Sequence, residues 1–251
     1  KLNGNYGIGH VRYPTAGGAG KEFSQPMYVN SPYGISLAHN GNLTNSRILA
    51  TELFHAEMRR LNTDSDSEVL LNIFAQELGK YRQINPSSEH LFKAVTETHR
   101  RCDGAYAVIA LITGVGVLAF RDTNAIRPLS LGIRKGKNRD EYMIASEDAS
   151  FAPQGFAKER DIEPGEAVFI DKTGTLFSKQ CAESSQKRPC IFEYVYFSRP
   201  DSTIDEISVH KSRMRMGSKL AKNIISSNAS HDIDVVIPIP ESSTTAALQL
   251  A

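Results

Sequence analysis

The sequence predicts an α+β domain in which antiparallel sheets are covered by helices. Two observations carry this. Helical periodicity recurs in three consecutive segments ahead of residue 105, and from Gly104 onward the pattern shortens to β-rich runs separated by Gly, Pro, Asn and Asp clusters. Helices and strands that come in blocks, without strict alternation, build layered sheets and not a doubly wound one.

The helical segments span 45–62, 65–81 and 88–102. In the second, Leu70, Phe74 and Leu78 recur at four-residue spacing beside Val69 and Ile73, which makes one apolar stripe and predicts one buried face. Its start, Ser65-Asp66-Ser67-Glu68, has the pattern of a capping box, with Ser65 accepting from the Glu68 N–H and the Glu68 side chain reaching back. That places Asp66 in the first helical turn. Strands are expected over 105–112, 115–121, 142–146, 167–171 and 191–197.

A polar, turn-rich stretch over 198–208 divides the chain into 1–207 and 208–251. The second part opens with a helix in which Val209, Met216, Leu220 and Ile224 share a face. An apolar run over 233–237 follows, then Pro238-Ile239-Pro240, then Ser242 and Thr244 as caps before a last helix. Helix, buried strand, loop, helix is how an α/β unit with a parallel sheet begins. A glycine-rich entry straight into Ile8 and Val11, and a final helix cut soon after it starts, make truncation the expectation at both ends.

With 40% apolar residues, 23% charged residues and a formal net charge of +1, the chain has no electrostatic reason to seek nucleic acid or an anionic membrane. Cys102, Cys181 and Cys190 form no C-x-x-C pair, and their odd number fits free thiols of a reducing cytosol. No apolar run approaches the roughly 18 to 20 residues of a spanning helix, and Lys1-Leu2-Asn3-Gly4 does not begin a signal peptide. A cytoplasmic protein is expected.

Four local features bear on chemistry. Gly9-His10-Val11-Arg12-Tyr13-Pro14-Thr15 leads into a glycine-rich stretch that is not a phosphate loop, because Thr15 and Glu22 stand where such a loop needs glycine and a hydroxyl. An arginine before a flexible loop suits bidentate capture of a carboxylate, although Arg12 taken alone reads as a surface ion-pair residue. Asn40-Gly41, after the alternating Ile35 and Leu37, reads locally as a hairpin turn and chemically as an oxyanion hole made of the Asn40 amide and the Gly41 N–H. Asp66 either complements the helix dipole or binds a ligand ammonium. Cys190 precedes an apolar strand and reads as an inert core thiol, and His10, His39, His55 and His99 read as structural. No Ser-His-Asp set, carboxylate pair or metal-ligand spacing can be assembled.

Taken together, the residues at 7–17, Ala-His-Asn-Gly-Asn-Leu-Thr-Asn at 38–45 and Ser-Asp-Ser-Glu at 65–68 resemble the glutamine-binding motifs of class II glutamine amidotransferases. The resemblance implies an N-terminal-nucleophile αββα four-layer sandwich followed by the beginning of an α/β phosphoribosyltransferase domain. Phe-Arg-Asp-Thr-Asn-Ala-Ile-Arg-Pro-Leu at 120–129, the block at 190–202 and Asp-Val-Val-Ile-Pro-Ile-Pro-Glu-Ser at 234–242 resemble the branch of that family that aminates phosphoribosyl pyrophosphate in the first step of purine synthesis. By this resemblance Arg12, supported by Thr15, binds the α-carboxylate of L-glutamine, Asp66 binds its α-ammonium, and Asn40 and Gly41 form the oxyanion hole. It also implies a homo-oligomer, with Mg²⁺ serving the transferase half.

The chain departs from the pattern in places. Lys1 is not the family's nucleophilic N-terminal cysteine and none of the three cysteines sits in a catalytic context, so the nucleophile and the strands carrying it are expected to lie outside this chain, and no Val-Asp-Asp-Ser type segment for phosphoribosyl pyrophosphate and Mg²⁺ is present. Ala125 occupies a position where glycine is expected. Some members hold an iron–sulfur cluster through a cysteine at the position of Cys190, but its other ligands would lie downstream, so no cluster is expected. The reading is glutamine amide hydrolysis coupled to phosphoribosylamine formation. A glutaminase domain serving another acceptor, and a non-catalytic amino-acid-binding module, are the alternatives.

Overall fold

The three helical segments ahead of residue 105 fold as α1 (Ser46–Glu57), α2 (Asp66–Gly79) and α3 (Ser88–Arg101) in the computed structural model, which describes residues 4–11, 20–227 and 232–251. The stripe predicted for α2 is buried: Leu70, Phe74 and Leu78 are fully covered. Its cap differs from the expected box. Ser65 Oγ accepts from the N–H of Ser67 at 3.3 Å, and the buried Glu68 carboxylate takes four donors from Asn62 and Thr63 at 2.7–2.9 Å. Four donors offset the desolvation of that carboxylate far better than the single Ser65 N–H would. The preceding loop is thereby fastened to the helix start.

Helices α1 to α3 cover one face of a six-stranded antiparallel sheet of order β1-β2-β3-β4-β8-β9. Its strands are β1 (Met27–Val29), β2 (Ile35–Leu43), β3 (Gly104–Ile112), β4 (Gly116–Arg121), β8 (Glu166–Asp171) and β9 (Leu176–Gln180). A second sheet, of order β6-β5-β7, is made of β5 (Ser130–Arg134), β6 (Glu141–Ala145) and β7 (Ala157–Asp161). Side chains alternate across each strand, so Val108, Ala110, Leu118 and Phe120 face the helices. Ala107, Ala119 and Val168 face Leu129, Leu131 and Ile162 on the other side. On the far face of the second sheet the Phe151 ring packs over Gly132, between two short 3₁₀ turns, Asp148–Ser150 and Ala152–Gln154. Helices, sheet, sheet and turns succeed one another, an α+β layering.

Two expected strands do not form. The run 191–197 begins with a short helical stretch and continues as a π-turn, Glu193–Phe197, with Ile191, Phe192, Tyr196 and Phe197 largely exposed. Apolar content alone produced that expectation, and the segment lies beside no open ladder. The stretch 233–237 pairs with nothing among the described residues and exposes Ile233, Val235 and Ile237. A strand requires a neighbour to accept its backbone bonds. The hairpin β10 (Thr203–Ile204) and β11 (Ile207–Ser208) leads into α4 (Val209–Ser227), and α5 (Thr244–Leu250) packs on α4 at Gly217.

The buried imidazole of His99 links stability to pH. His99 is 8% exposed, its Nδ1 lies 2.8 Å from the Tyr106 hydroxyl, and burial pushes its pKa down to about 4. The folded state therefore keeps this imidazole neutral while the unfolded chain protonates it near pH 6.5. Stability is complete above about pH 6.5 and falls as pH drops toward 4, by about 2 to 3 kcal/mol at pH 4.5. Urea unfolding at pH 7 and 4.5 measures this, and His99→Gln should reduce the difference between the two by a similar amount.

A candidate active site on the open edge of the second strand

Asn40 and Gly41 do not form a hairpin turn: β2 continues through them, pairing Asn40 with Ala107 and Gly41 with Tyr106. Tyr106 spends its N–H and C=O on Asp122, on the β4 side. At the Gly41–Tyr106 pair the backbone groups of both residues therefore point away from each other, and the N–H groups of His39, Gly41 and Leu43 leave β2 along its other edge. Gln25 Oε1 accepts from the His39 N–H at 2.7 Å, and Asp66 Oδ2 accepts from the Leu43 N–H at 2.9 Å. The Gly41 N–H lies between these two on the same edge, and Gly41 lines a cleft of about 1960 Å³. Glycine is required here: φ is +153° and a Cβ would sit 1.9 Å from the Ala105 carbonyl oxygen.

Alternation along β2 sends the His39 side chain toward α2, where Nδ1 lies 3.0 Å from Ser67 Oγ, and sends Asn40 toward the second sheet. Burial pulls the His39 pKa down, with Asp66 opposing, so this ring is neutral at pH 7. Asn40 Oδ1 accepts from Arg127 Nε at 3.1 Å and Nη2 at 2.5 Å. A guanidinium offers only donors, so the amide oxygen must face it and the NH₂ must face away. That NH₂ has a long contact of 3.4 Å with Ser146 Oγ.

The turn that presents Arg127 is built by two buried charges. The Asp122 carboxylate accepts from the backbone N–H groups of Tyr106, Asn124, Ile126 and Arg127 at 3.0–3.2 Å. Burial raises its pKa against those donors. The Arg121 guanidinium donates to the carbonyls of Ala125, Arg127 and Ile162 and, through two nitrogens, to the Asp205 carboxylate. Ala125 sits in this turn at φ +50°, the conformation for which glycine was expected. A left-handed alanine costs about 1 kcal/mol or slightly more, and its fully buried methyl returns about 0.8 kcal/mol. Ala125→Gly should therefore shift the unfolding free energy by less than about 1 kcal/mol in a urea titration.

Three of the five residues expected in the site thus come together along β2: Asn40, Gly41 and Asp66. Arg12 and Thr15 lie outside the described residues. Asp66 is bound by one oxygen to Leu43, its other oxygen is uncommitted among the described residues, and the residue lines the cleft. It is a strand-to-helix tie as well as a first-turn charge. Asp122 and Arg127 belong to the 120–129 block that carries the resemblance, but the sequence gives them no role, and Gln25 does not stand out; Arg127 and Gln25 act through partners distant in the chain, whereas Asp122 mainly ties its own turn.

Burial pushes the Cys102 thiol up to about 12 and the Cys181 thiol up to about 11, so neither is a nucleophile at neutral pH. Cys190 lines the cleft. Among the described residues no group of three His, Cys, Asp or Glu side chains could hold a metal ion, and no helix is long and apolar enough to cross a membrane. A smaller concavity of about 420 Å³ between α4 and α5 is lined by Lys211, Met214, Arg215, Ser218, Lys219 and Gln249.

A strand edge offering an amide NH₂ and a backbone N–H beside a carboxylate is what an amide-hydrolysing site for an amino acid requires. The sequence profile of the glutamine amidotransferase domain matches residues 18–153, and the chain belongs to that family. Along its whole length it is similar to amidophosphoribosyltransferases: 56% identical to that of Pseudomonas aeruginosa over 251 residues and 54% to that of Escherichia coli K12 over 252 residues. It covers 50% of each, so the chain spans about half the length of these curated relatives. The solved glutamine phosphoribosylpyrophosphate amidotransferase of B. subtilis, complexed with ADP and GMP, matches with a TM-score of 0.76 at 33% identity, over 96% of this chain and 48% of that one.

Proposed function

We propose that this chain supplies the glutamine-binding and oxyanion-stabilising part of a cytosolic enzyme that forms 5-phosphoribosylamine. Glutamine and water give glutamate and ammonia. The ammonia then displaces pyrophosphate from phosphoribosyl pyrophosphate. The observation that carries this reading is the cleft along β2, which Asn40, Gly41 and Asp66 all line, with the Asn40 amide oxygen held by Arg127 and the Asp66 carboxylate tied to the strand at Leu43. Arg12, with Thr15, completes the set by holding the glutamine α-carboxylate, and Asp66 holds the ammonium.

The attacking thiol is assigned to an N-terminal cysteine that precedes Lys1 in the complete enzyme. It adds to the glutamine amide carbon, ammonia leaves on collapse of the oxyanion, and water hydrolyses the thioester. Asn40 and Gly41 donate to the oxygen that becomes negative, and each such donor is worth roughly 3 to 4 kcal/mol. Mg²⁺ belongs to the transferase half.

The 251-residue chain alone is expected to leave glutamine unhydrolysed. Glutamate assays on the purified chain test this. Because Cys190 lines the cleft, Cys190→Ser is assayed beside it: turnover that disappears in this variant would transfer the nucleophile role to Cys190. In the complete enzyme, Arg12→Ala should remove glutamine-dependent synthesis and spare synthesis from free ammonia, since a carboxylate ligand serves only the first half-reaction. Equal loss of both would return Arg12 to a structural role.

A further inference from the structure

The donors of the oxyanion hole are only as good as their aim, and the aim of Asn40 is set by another side chain. An asparagine amide presents either its oxygen or its NH₂ to a given direction, and a carbonyl oxygen turned toward a developing oxyanion would repel it. Asn40 Oδ1 is gripped by Arg127 through two nitrogens, Nε at 3.1 Å and Nη2 at 2.5 Å. Because the guanidinium has no acceptor, the flipped amide would set NH₂ against a cation and lose both bonds.

Arg127 is itself held. Its backbone N–H is tied to Asp122 and its carbonyl to Arg121. The third guanidinium nitrogen, Nη1, lies 2.8 Å from Glu193 Oε1, and the guanidinium carbon is 5.4 Å from the Phe197 ring centroid. Glu193 Oε1 makes no hydrogen bond among the described residues, and the Arg127 charge compensates it. The other Glu193 oxygen accepts from Ser198 Oγ at 2.9 Å. Burial raises the Glu193 pKa and Arg127 opposes it.

We infer that Arg127 is a positioning residue that locks the Asn40 amide with its NH₂ toward the reacting carbonyl, and that Glu193 holds Arg127 in place as its counter-ion. This rests on the oxyanion reading of Asn40. A guanidinium aligned before substrate arrives removes the reorganisation that a freely rotating amide would need at the transition state, which is where such donors act. Its loss should therefore appear in kcat more than in KM.

The test is a double-mutant cycle in the complete enzyme with glutamine as substrate, using Arg127→Met, Arg127→Lys, Asn40→Ala and the combinations of each arginine variant with Asn40→Ala. Asn40→Ala is expected to lower kcat by about 100-fold or more, and Arg127→Met by about 30- to 100-fold with KM moved less than about threefold. Arg127→Lys, which keeps one charged donor for Oδ1, should recover about tenfold of that loss. On the Asn40→Ala background neither arginine variant should reduce kcat further, because the group that Arg127 aims is gone. Multiplying losses in the double variants, or a rise in KM alone, would overturn the inference. Should Arg127→Met fail to fold, the Arg127→Lys and Asn40→Ala cycle measures the same coupling. Unchanged turnover in Asn40→Ala alone would instead remove the oxyanion reading, and this inference with it.

Discussion

Asp66→Asn should lower kcat/KM for glutamine by about 100-fold or more while changing the unfolding free energy by less than about 1 kcal/mol. The asparagine oxygen can still accept from the Leu43 N–H, which Asp66 Oδ2 does at 2.9 Å, so the tie between β2 and α2 survives. What disappears is the negative charge facing the cleft, and the amide NH₂ that replaces the second oxygen would oppose a ligand ammonium. Loss of the first-turn charge costs α2 only about 0.3 to 1 kcal/mol. Glutamine kinetics and thermal unfolding of the one variant decide between the two roles. Near-wild-type kinetics would leave Asp66 as a structural tie.

Asp205→Ala should cost about 3 to 5 kcal/mol of stability. Arg121 and Asp205 side chains are 1% and 2% exposed and meet at 2.8 Å. Burial would raise the Asp205 pKa, but Arg121 and Lys187 together outweigh it and hold it below the usual carboxylate range. The carboxylate is thus charged throughout the neutral range. Removing it strands a guanidinium that also holds the carbonyls of Ala125, Arg127 and Ile162. The informative comparison is Arg121→Met with Asp205→Ala: urea midpoints should show the double variant regaining part of the loss, since the unpaired charge is gone. A double variant less stable than Asp205→Ala would contradict the argument.

The sequence carried the helices well because each buries a stripe whose spacing is written locally, as in Leu70, Phe74 and Leu78. It carried the core strands 105–112 and 167–171 for the same reason. It missed β1, β5, β7 and β9, which are short and owe their extended form to neighbours far along the chain. Asn40-Gly41 shows the limit most clearly. Its local signal is a turn, yet nine residues of β2, Ile35–Leu43, run straight through it, because β3 offers a full-length partner. The candidate residues Asn40, Gly41 and Asp66 were accessible as chemistry but not as an arrangement. Nothing near Asn40 in sequence announces Arg127, 87 positions away.

The first half of α4 has a bearing on how this protein is to be dissected. Val209 is fully buried, and Arg213, 4% exposed, donates to the carbonyls of Tyr194 at 2.9 Å and Ser198 at 2.7 Å. Those contacts cross the polar stretch that would otherwise invite a cut before residue 208. Expression of a fragment ending there would leave two carbonyls without their charged donor and strip Val209 from Tyr194 and Ile204, the apolar residues it covers. A terminus a turn or more past Gly217 keeps that seam closed, and limited proteolysis of the intact protein should spare the peptide bonds from Val209 to Gly217.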